Sequence, residues 1–238
     1  MKVITVCSDS HNELLEKHFL PSLPSTLTPV VVKTNQRGNG NHGWTPDFIA
    51  AMREKLSVVL EHTRMEKTPF IYCDADVRFN PLLDPVPMLA NALEEKKFDI
   101  VCQRDGPDIC AGFMLLDPSE KNANYLQAVL DYMDRNPSKC DQLAFKELYH
   151  SNLYPPEAKP RIRLLDITVG FGNMNHLQPN VLWTSENNMM ERHKDIVGRQ
   201  FMWHANHTIG VENKMDMLNR FKIICEEVYE KESQRVQA

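Results

Sequence analysis

Apolar positions along the chain follow two rhythms. Short runs rich in Val, Ile, Phe and Leu, at 2–7, 29–34, 70–79, 98–102 and 109–116, have the length and branching expected of buried strands. Between them, stretches at 12–20, 44–64, 85–96, 120–135, 141–149 and about 211–236 repeat their apolar residues at three- and four-residue spacing, which predicts helices. Local punctuation agrees: Thr45 and Pro46 form an N-cap and first-turn pair, and Asn136-Pro137-Ser138 separates two helices. Pro21 is expected to help end the first helix. The inward faces are predicted to carry Phe48, Met52, Leu56, Val59 and Leu60 in one long helix, and Met217, Leu218, Phe221 and Ile224 in the last.

Strand and helix alternate from the start, so the predicted fold class is α/β. Regularity weakens after the proline-rich stretch 151–160. Short strands are expected around 162–165 and 181–184, and 183–199 reads as an exposed loop or short helix able to cover a site. The stretch 37–43 is glycine-rich and polar; it reads as a flexible connection, although its glycines would let a ligand approach the backbone. The highly charged end of the last helix is expected to fray.

Composition narrows the class. The chain has 238 residues, 42% hydrophobic and 25% charged, with no apolar run long enough to span a bilayer, so one large globular domain is expected. The N-terminal apolar run is too short for a signal peptide, which predicts a cytoplasmic protein. Six cysteines without a Cys-x-x-Cys pair read as reduced and mostly buried. A formal charge of −5 argues against general nucleic-acid binding.

The candidate chemistry starts at Phe70-Ile71-Tyr72-Cys73-Asp74-Ala75-Asp76-Val77-Arg78-Phe79, an apolar run broken by two acids. If the strand persists through Asp76, both carboxylates project to one side, where Mg2+ or Mn2+ could bridge them to substrate phosphates. Further along stand Asp105 after a strand, the glycine of Ala111-Gly112, Asp141 and Gln142 at a helix start, and the late pair His204 and Lys214. Each has a plain structural reading: a turn, a strand bulge, helix capping, a surface imidazole, a solvated lysine.

Taken in order, these pieces resemble one family, the nucleotide-diphospho-sugar transferases, glycosyltransferases of the GT-A fold with an Asp-x-Asp motif. The resemblance runs over residues 1–218 through Lys55, Phe70 to Val77, Asp84-Pro85, Phe98-Asp99-Ile100, Ala111-Gly112-Phe113-Met114, Asp141-Gln142-x-Ala144-Phe145, His204-Ala205-Asn206, Gly210 and Lys214. It implies a Rossmann-like nucleotide-binding fold of α/β class, with a mixed central sheet flanked by helices, in a single domain, 1–238. Residues 1–105 would form mainly the nucleotide half, 106–218 mainly the sugar and acceptor half, and 219–238 a C-terminal helix and tail.

The implied activity is metal-dependent transfer of a sugar, with retention of configuration, from a uridine-linked donor (a UDP-sugar) to a hydroxyl of a glycan or glycoconjugate acceptor. Asp74, Asp76 and His204 would hold Mn2+ or Mg2+, and Lys214 would contact the diphosphate. Asp141 and Gln142 would act at the sugar. Donor contacts are expected from Thr5, Val6, Cys7 and Ser8 at the end of the first strand, and from Lys55, Asp74, Ala75, Asp105, Ala111, Gly112 and Gly210. Two positions depart from the family pattern: Leu143 stands where relatives often carry another acid, and Cys110 where they commonly have asparagine. Two other classes stay open. One is a magnesium phosphatase of haloacid dehalogenase type, disfavoured by Arg78 and by the motif's distance from the chain start. The other is a binding module without turnover.

Overall fold

The first two predicted strands pair in parallel, β1 (Lys2–Ser8) with β2 (Thr28–Thr34), and β1 pairs on its other side with β3 (Phe70–Cys73). A computed structural model describes residues 1–35, 45–94, 98–179, 183–184, 189–206 and 208–237 of the chain. β3 lies antiparallel to β6 (Asp108–Leu116), which pairs antiparallel with β5 (Ile100–Asp105), and β5 continues in parallel to β7 (Ile162–Leu165). The mixed six-stranded sheet has the order β2-β1-β3-β6-β5-β7. A second, three-stranded sheet is built from β4 (Val77–Phe79), β8 (Phe171–Asn173) and β9 (Met202–His204), with β9 in the middle.

Strand periodicity decides the two faces of the large sheet. Phe70 and Tyr72 turn to one core with Ile4, Ile100, Met114 and Leu116, while Ile71 and Cys73 turn to the other with Val3, Val101, Phe113 and Leu115. The first core is covered by α1 (Pro46–Met65), α3 (Glu120–Arg135) and α4 (Asp141–His150). The second is covered by the helical segment 9–22 and by α2 (Val86–Glu94). The last helix, α5 (Val211–Gln237), buries Met217, Leu218, Phe221 and Ile224 as its pattern predicts, against Trp203 and Trp183. α1 begins where expected, with Phe48 N–H donating to Thr45 Oγ1 at 3.2 Å. All six cysteines are free and buried. Among the described residues, no helix is long and apolar enough to cross a membrane.

Four expectations are corrected. The strand through Phe70 does not persist to Asp76: it ends at Cys73, and Asp74-Ala75-Asp76 turns the chain out of the large sheet into β4 of the small one. Pro21 does not end the first helix, which reaches Ser22 through a π-turn at Leu15–Phe19. Pro21 has no N–H for the carbonyl of Lys17, and Arg78 Nη1 donates to that carbonyl instead, at 3.4 Å. Phe48 and Met52 are only partly covered, and Ile49 takes the buried place beside Leu56. The strand expected at 181–184 is absent at Trp183 and Thr184, whereas β8 and β9 are strands too short to give a periodic signal. The glycine-rich stretch 37–43 and residues 181–182 lie outside the described residues.

Candidate functional site

The turn at Asp74-Ala75-Asp76 is held from both sides. Asp74 N–H donates to Gly112 O on β6 at 2.8 Å, and Ala205 N–H donates to Asp76 O at 2.9 Å. β4 pairs antiparallel with β9, setting Val77 opposite His204. This pairing, rather than strand alternation, brings the two carboxylates and the imidazole to one place. His204 Nε2 lies 3.2 Å from Asp76 Oδ1 and 3.9 Å from Asp74 Oδ2. β6 passes beneath with Gly112, where a Cβ would stand 2.3 Å from His204 Cε1 and 2.6 Å from Asp74 Oδ2. Only a glycine leaves room for the group.

Two lysines complete the charge pattern. Lys214, one turn into α5, points Nζ at Asp76 Oδ2 at 2.6 Å, and Lys55 of α1 contacts Asp141 Oδ2 at 2.7 Å and Asp74 Oδ1 at 3.3 Å. Burial alone would raise the Asp76 carboxyl, but Lys214 and His204 outweigh it and hold the group well below the usual carboxylate range. Burial likewise opposes an imidazolium at His204, yet Cys110 and Asp76 outweigh it and hold His204 well above its ordinary value. The Tyr72 hydroxyl donates to Asp74 Oδ1 at 2.5 Å, and burial together with that carboxylate pushes its pKa far up.

This donor set fits a divalent cation. One ligand atom each from Asp74, Asp76 and His204 lie within 4.8 Å of one another, and two carboxylate oxygens with an imidazole nitrogen suit Mn2+ or Mg2+. Ligation would displace the Lys214 ammonium from Asp76 and a proton from His204 Nε2, so affinity depends on pH.

Beside this group lies a polar corner around Asp105, at the end of β5. Gln142 Nε2 donates to its Oδ2 at 2.9 Å, and Asn175 Nδ2 and Asn206 Nδ2 approach its Oδ1 at 2.9 and 3.5 Å. Gln142 Oε1 accepts from Ala111 N–H at 3.4 Å. Asp141, the first residue of α4, is buried on Lys55. The structure thus brings Asp74, Asp76, Lys55, Asp105, Ala111, Gly112, Asp141, Gln142, His204 and Lys214 together around the turn.

The nucleotide-end residues divide. Thr5 and Cys7 are buried in β1, while Val6 and Ser8 are partly covered, the Ser8 hydroxyl lying 2.9 Å from that of Ser10 and 3.4 Å from His11 Nδ1. Ala75 is buried in the turn. Gly210 adopts φ +85° immediately before α5, and its carbonyl accepts from Lys214 N–H at 3.2 Å. Arg53, two residues before Lys55 on α1, pairs with Asp134 outside the group.

Sequence reading assigned no role to Gln103, Tyr72, His11, Asn175 or Asn206. Gln103 stands in sequence just past the apolar run 98–102 and before Arg104-Asp105, with no local signal of burial, yet it is fully buried against His204. His11 lies near enough to feel Lys214: burial and that ammonium lower its imidazole below the ordinary value. Cys110, where the family commonly has asparagine, has His204 Nδ1 at 3.5 Å from its sulfur.

Comparison with known proteins bears on the family and the fold. The family model described as nucleotide-diphospho-sugar transferase matches residues 2–218. No curated protein matches the sequence significantly. Among solved structures, a glycosyltransferase involved in glycosylation of the major capsid of PBCV-1 aligns over 91% of this chain and 97% of its own, with TM-score 0.60 and 11% identity. The galactosyltransferase LgtC, bound to donor and acceptor sugar analogs, aligns over 95% of this chain and 96% of its own, with TM-score 0.55 and 11% identity. The glycosyltransferase GlyE of Streptococcus pneumoniae TIGR4 aligns over 97% of this chain, with TM-score 0.53 and 12% identity; the chain spans 63% of GlyE's length. At such identities the likeness is one of fold, the GT-A fold. The family match over most of the chain decides membership: this chain belongs to the nucleotide-diphospho-sugar transferase family.

Proposed function

We propose that this protein is a metal-dependent glycosyltransferase that moves a sugar from a nucleoside diphosphate, uridine diphosphate in the first instance, to a hydroxyl of a glycan or glycoconjugate, with retention of anomeric configuration. The observation that carries this reading is the convergence of Asp74, Asp76 and His204 beside Lys214, where two acids, an imidazole and an ammonium meet at one buried point. When bound, a divalent cation there would neutralise the charge that develops on the departing nucleoside diphosphate.

The protein's own residues do the rest. Lys214 exchanges its contact with Asp76 for the diphosphate, supplying a second positive charge to the leaving group. Lys55 holds Asp74 and Asp141 in place from beneath. Asp105 and Gln142 bind and orient the sugar, with Ala111 and Gly112 offering backbone against which it can lie. The end of β1, from Thr5 to Ser8, lines the base and ribose pocket, since open α/β sheets bind nucleotides at the carboxyl ends of their strands.

A screen of nucleotide sugars with Mn2+ present, reading both affinity and slow donor hydrolysis, tests this. One donor should bind and release its nucleoside diphosphate, and Asp76→Ala should abolish metal-dependent binding while the fold stays intact. Failure of every nucleotide sugar to bind, or wild-type binding that ignores metal, sinks the proposal. Binding without hydrolysis or transfer would leave a sugar-nucleotide binding module.

A further inference from the structure

Gln103 is a fully buried amide on β5 that bridges the two sheets. Its Nε2 donates to the carbonyl of Gly172 at 2.9 Å and lies 3.4 Å from that of Phe171, both on β8. Backbone carbonyls only accept, so the NH2 end of the amide must face them. Its oxygen is thereby turned to His204 Nδ1 on β9, 2.9 Å away. The reversed amide would set an oxygen against two carbonyls and lose both contacts. An amide oxygen at this distance requires a proton on Nδ1. A neutral imidazole carrying its proton there has a free lone pair on Nε2, the nitrogen that faces Asp76 and Asp74.

Among the described residues, one competitor faces the same nitrogen. Cys110 Sγ lies 3.5 Å from Nδ1, and its S–H could donate to an unprotonated Nδ1. That arrangement would move the imidazole proton to Nε2, aimed at the carboxylates, and close the lone pair.

We propose that Gln103 is a positioning residue that selects the Nδ1–H tautomer of His204 against Cys110, and so makes Nε2 available as a ligand to a divalent cation. The proposal rests on the metal reading of Asp74, Asp76 and His204. It adds that the ligand's readiness is set by an amide locked on the backbone of the small sheet, 2.9 Å from each of its two main partners. Such outer partners of metal-ligating histidines typically change affinity by about 10–100-fold when removed.

Two measurements test it. In Mg2+-loaded wild type, nitrogen-15 NMR of the His204 side chain should find Nδ1 protonated and Nε2 not; the opposite assignment overturns the proposal without any variant having to fold. Mn2+ titration followed by the EPR signal of the free ion should find Gln103→Met weakened by about 10–100-fold and Cys110→Ala no weaker than wild type. Adding Cys110→Ala to Gln103→Met should recover part of the loss. A folded Gln103→Met with wild-type affinity overturns the role of Gln103 alone. Wild type that binds no Mn2+ overturns the metal reading itself, and with it the ligand role inferred for Nε2.

Discussion

Lys55 Nζ lies 2.7 Å from Asp141 Oδ2 and 3.3 Å from Asp74 Oδ1, so one buried ammonium ties the start of α4 to the end of β3. Lys55→Met would leave two largely buried carboxylates without their cation, and breaking a buried pair in this way costs about 3–5 kcal/mol. Denaturant unfolding should register a loss of that order. Lys55→Arg should rescue little, because a planar fork cannot replace a compact point charge between two carboxylates. Burial works against the Lys55 ammonium, but Asp141 and Asp74 outweigh it and its folded pKa is raised. The stabilisation is therefore complete below the unfolded value of 10.5 and is lost only as pH climbs through the folded one.

Gly112→Ala places a methyl group 2.3 Å from His204 Cε1 and 2.6 Å from Asp74 Oδ2, contacts that force both side chains to move. Overpacking of this kind costs about 1–3 kcal/mol. Mn2+ affinity should fall together with thermal stability. Unchanged Mn2+ binding in a folded Gly112→Ala protein would mean that Asp74 and His204 do not hold the ion.

Lys214→Met separates the two jobs at Asp76. The variant removes the ammonium that sits 2.6 Å from Asp76 Oδ2, so Mn2+ alone should bind at least as tightly as in wild type. Uridine diphosphate should bind more weakly, since a charged hydrogen bond contributes about 1.5–3 kcal/mol. Calorimetric titration with each ligand in turn reads both effects. Weakened Mn2+ binding with unaltered nucleotide binding would reverse the assignment.

His18 gives the fold an acid-sensitive point away from the site. It is buried in the π-turn with Nδ1 3.1 Å from Arg78 Nη1, and burial and that guanidinium push its pKa down to about 4. The unfolded chain takes up the proton near 6.5, so this contribution is full above that pH and is lost as pH falls to about 4. The loss should approach about 3 kcal/mol. His18→Gln keeps an acceptor for Arg78 without a titrating group. Its unfolding free energy should stay flatter across the same window, and an unchanged slope would remove His18 as the cause.

Much of this protein can be read from its sequence because the signals are local. The Thr45-Pro46 pair marks the start of α1, and a 3.6-residue rhythm marks the buried face of α5. Asp74, Asp76, His204 and Lys214 were legible as a set through the family pattern they share, although nothing local says that residues 138 positions apart meet, as Asp76 and Lys214 do. Gln103, just past the apolar run 98–102 and followed by Arg104 and Asp105, looks like a turn residue in sequence; only the second sheet buries its amide and supplies the partners it needs.

What the chain determined alone was the succession of strands and helices and the chemical types available at its turns, both fixed by neighbours within a few residues. The tertiary structure decided how those types meet. The motif strand stops at Cys73 because Asp74-Ala75-Asp76 must cross to a second sheet, and that sheet exists only through the pairing of three-residue strands β4, β8 and β9. Strands that short have no periodicity to read and are held by their partners. The same pairing sets His204 against Asp76, and the same crossing puts Gln103 between the sheets, so the geometry of the site belongs to contacts distant in sequence.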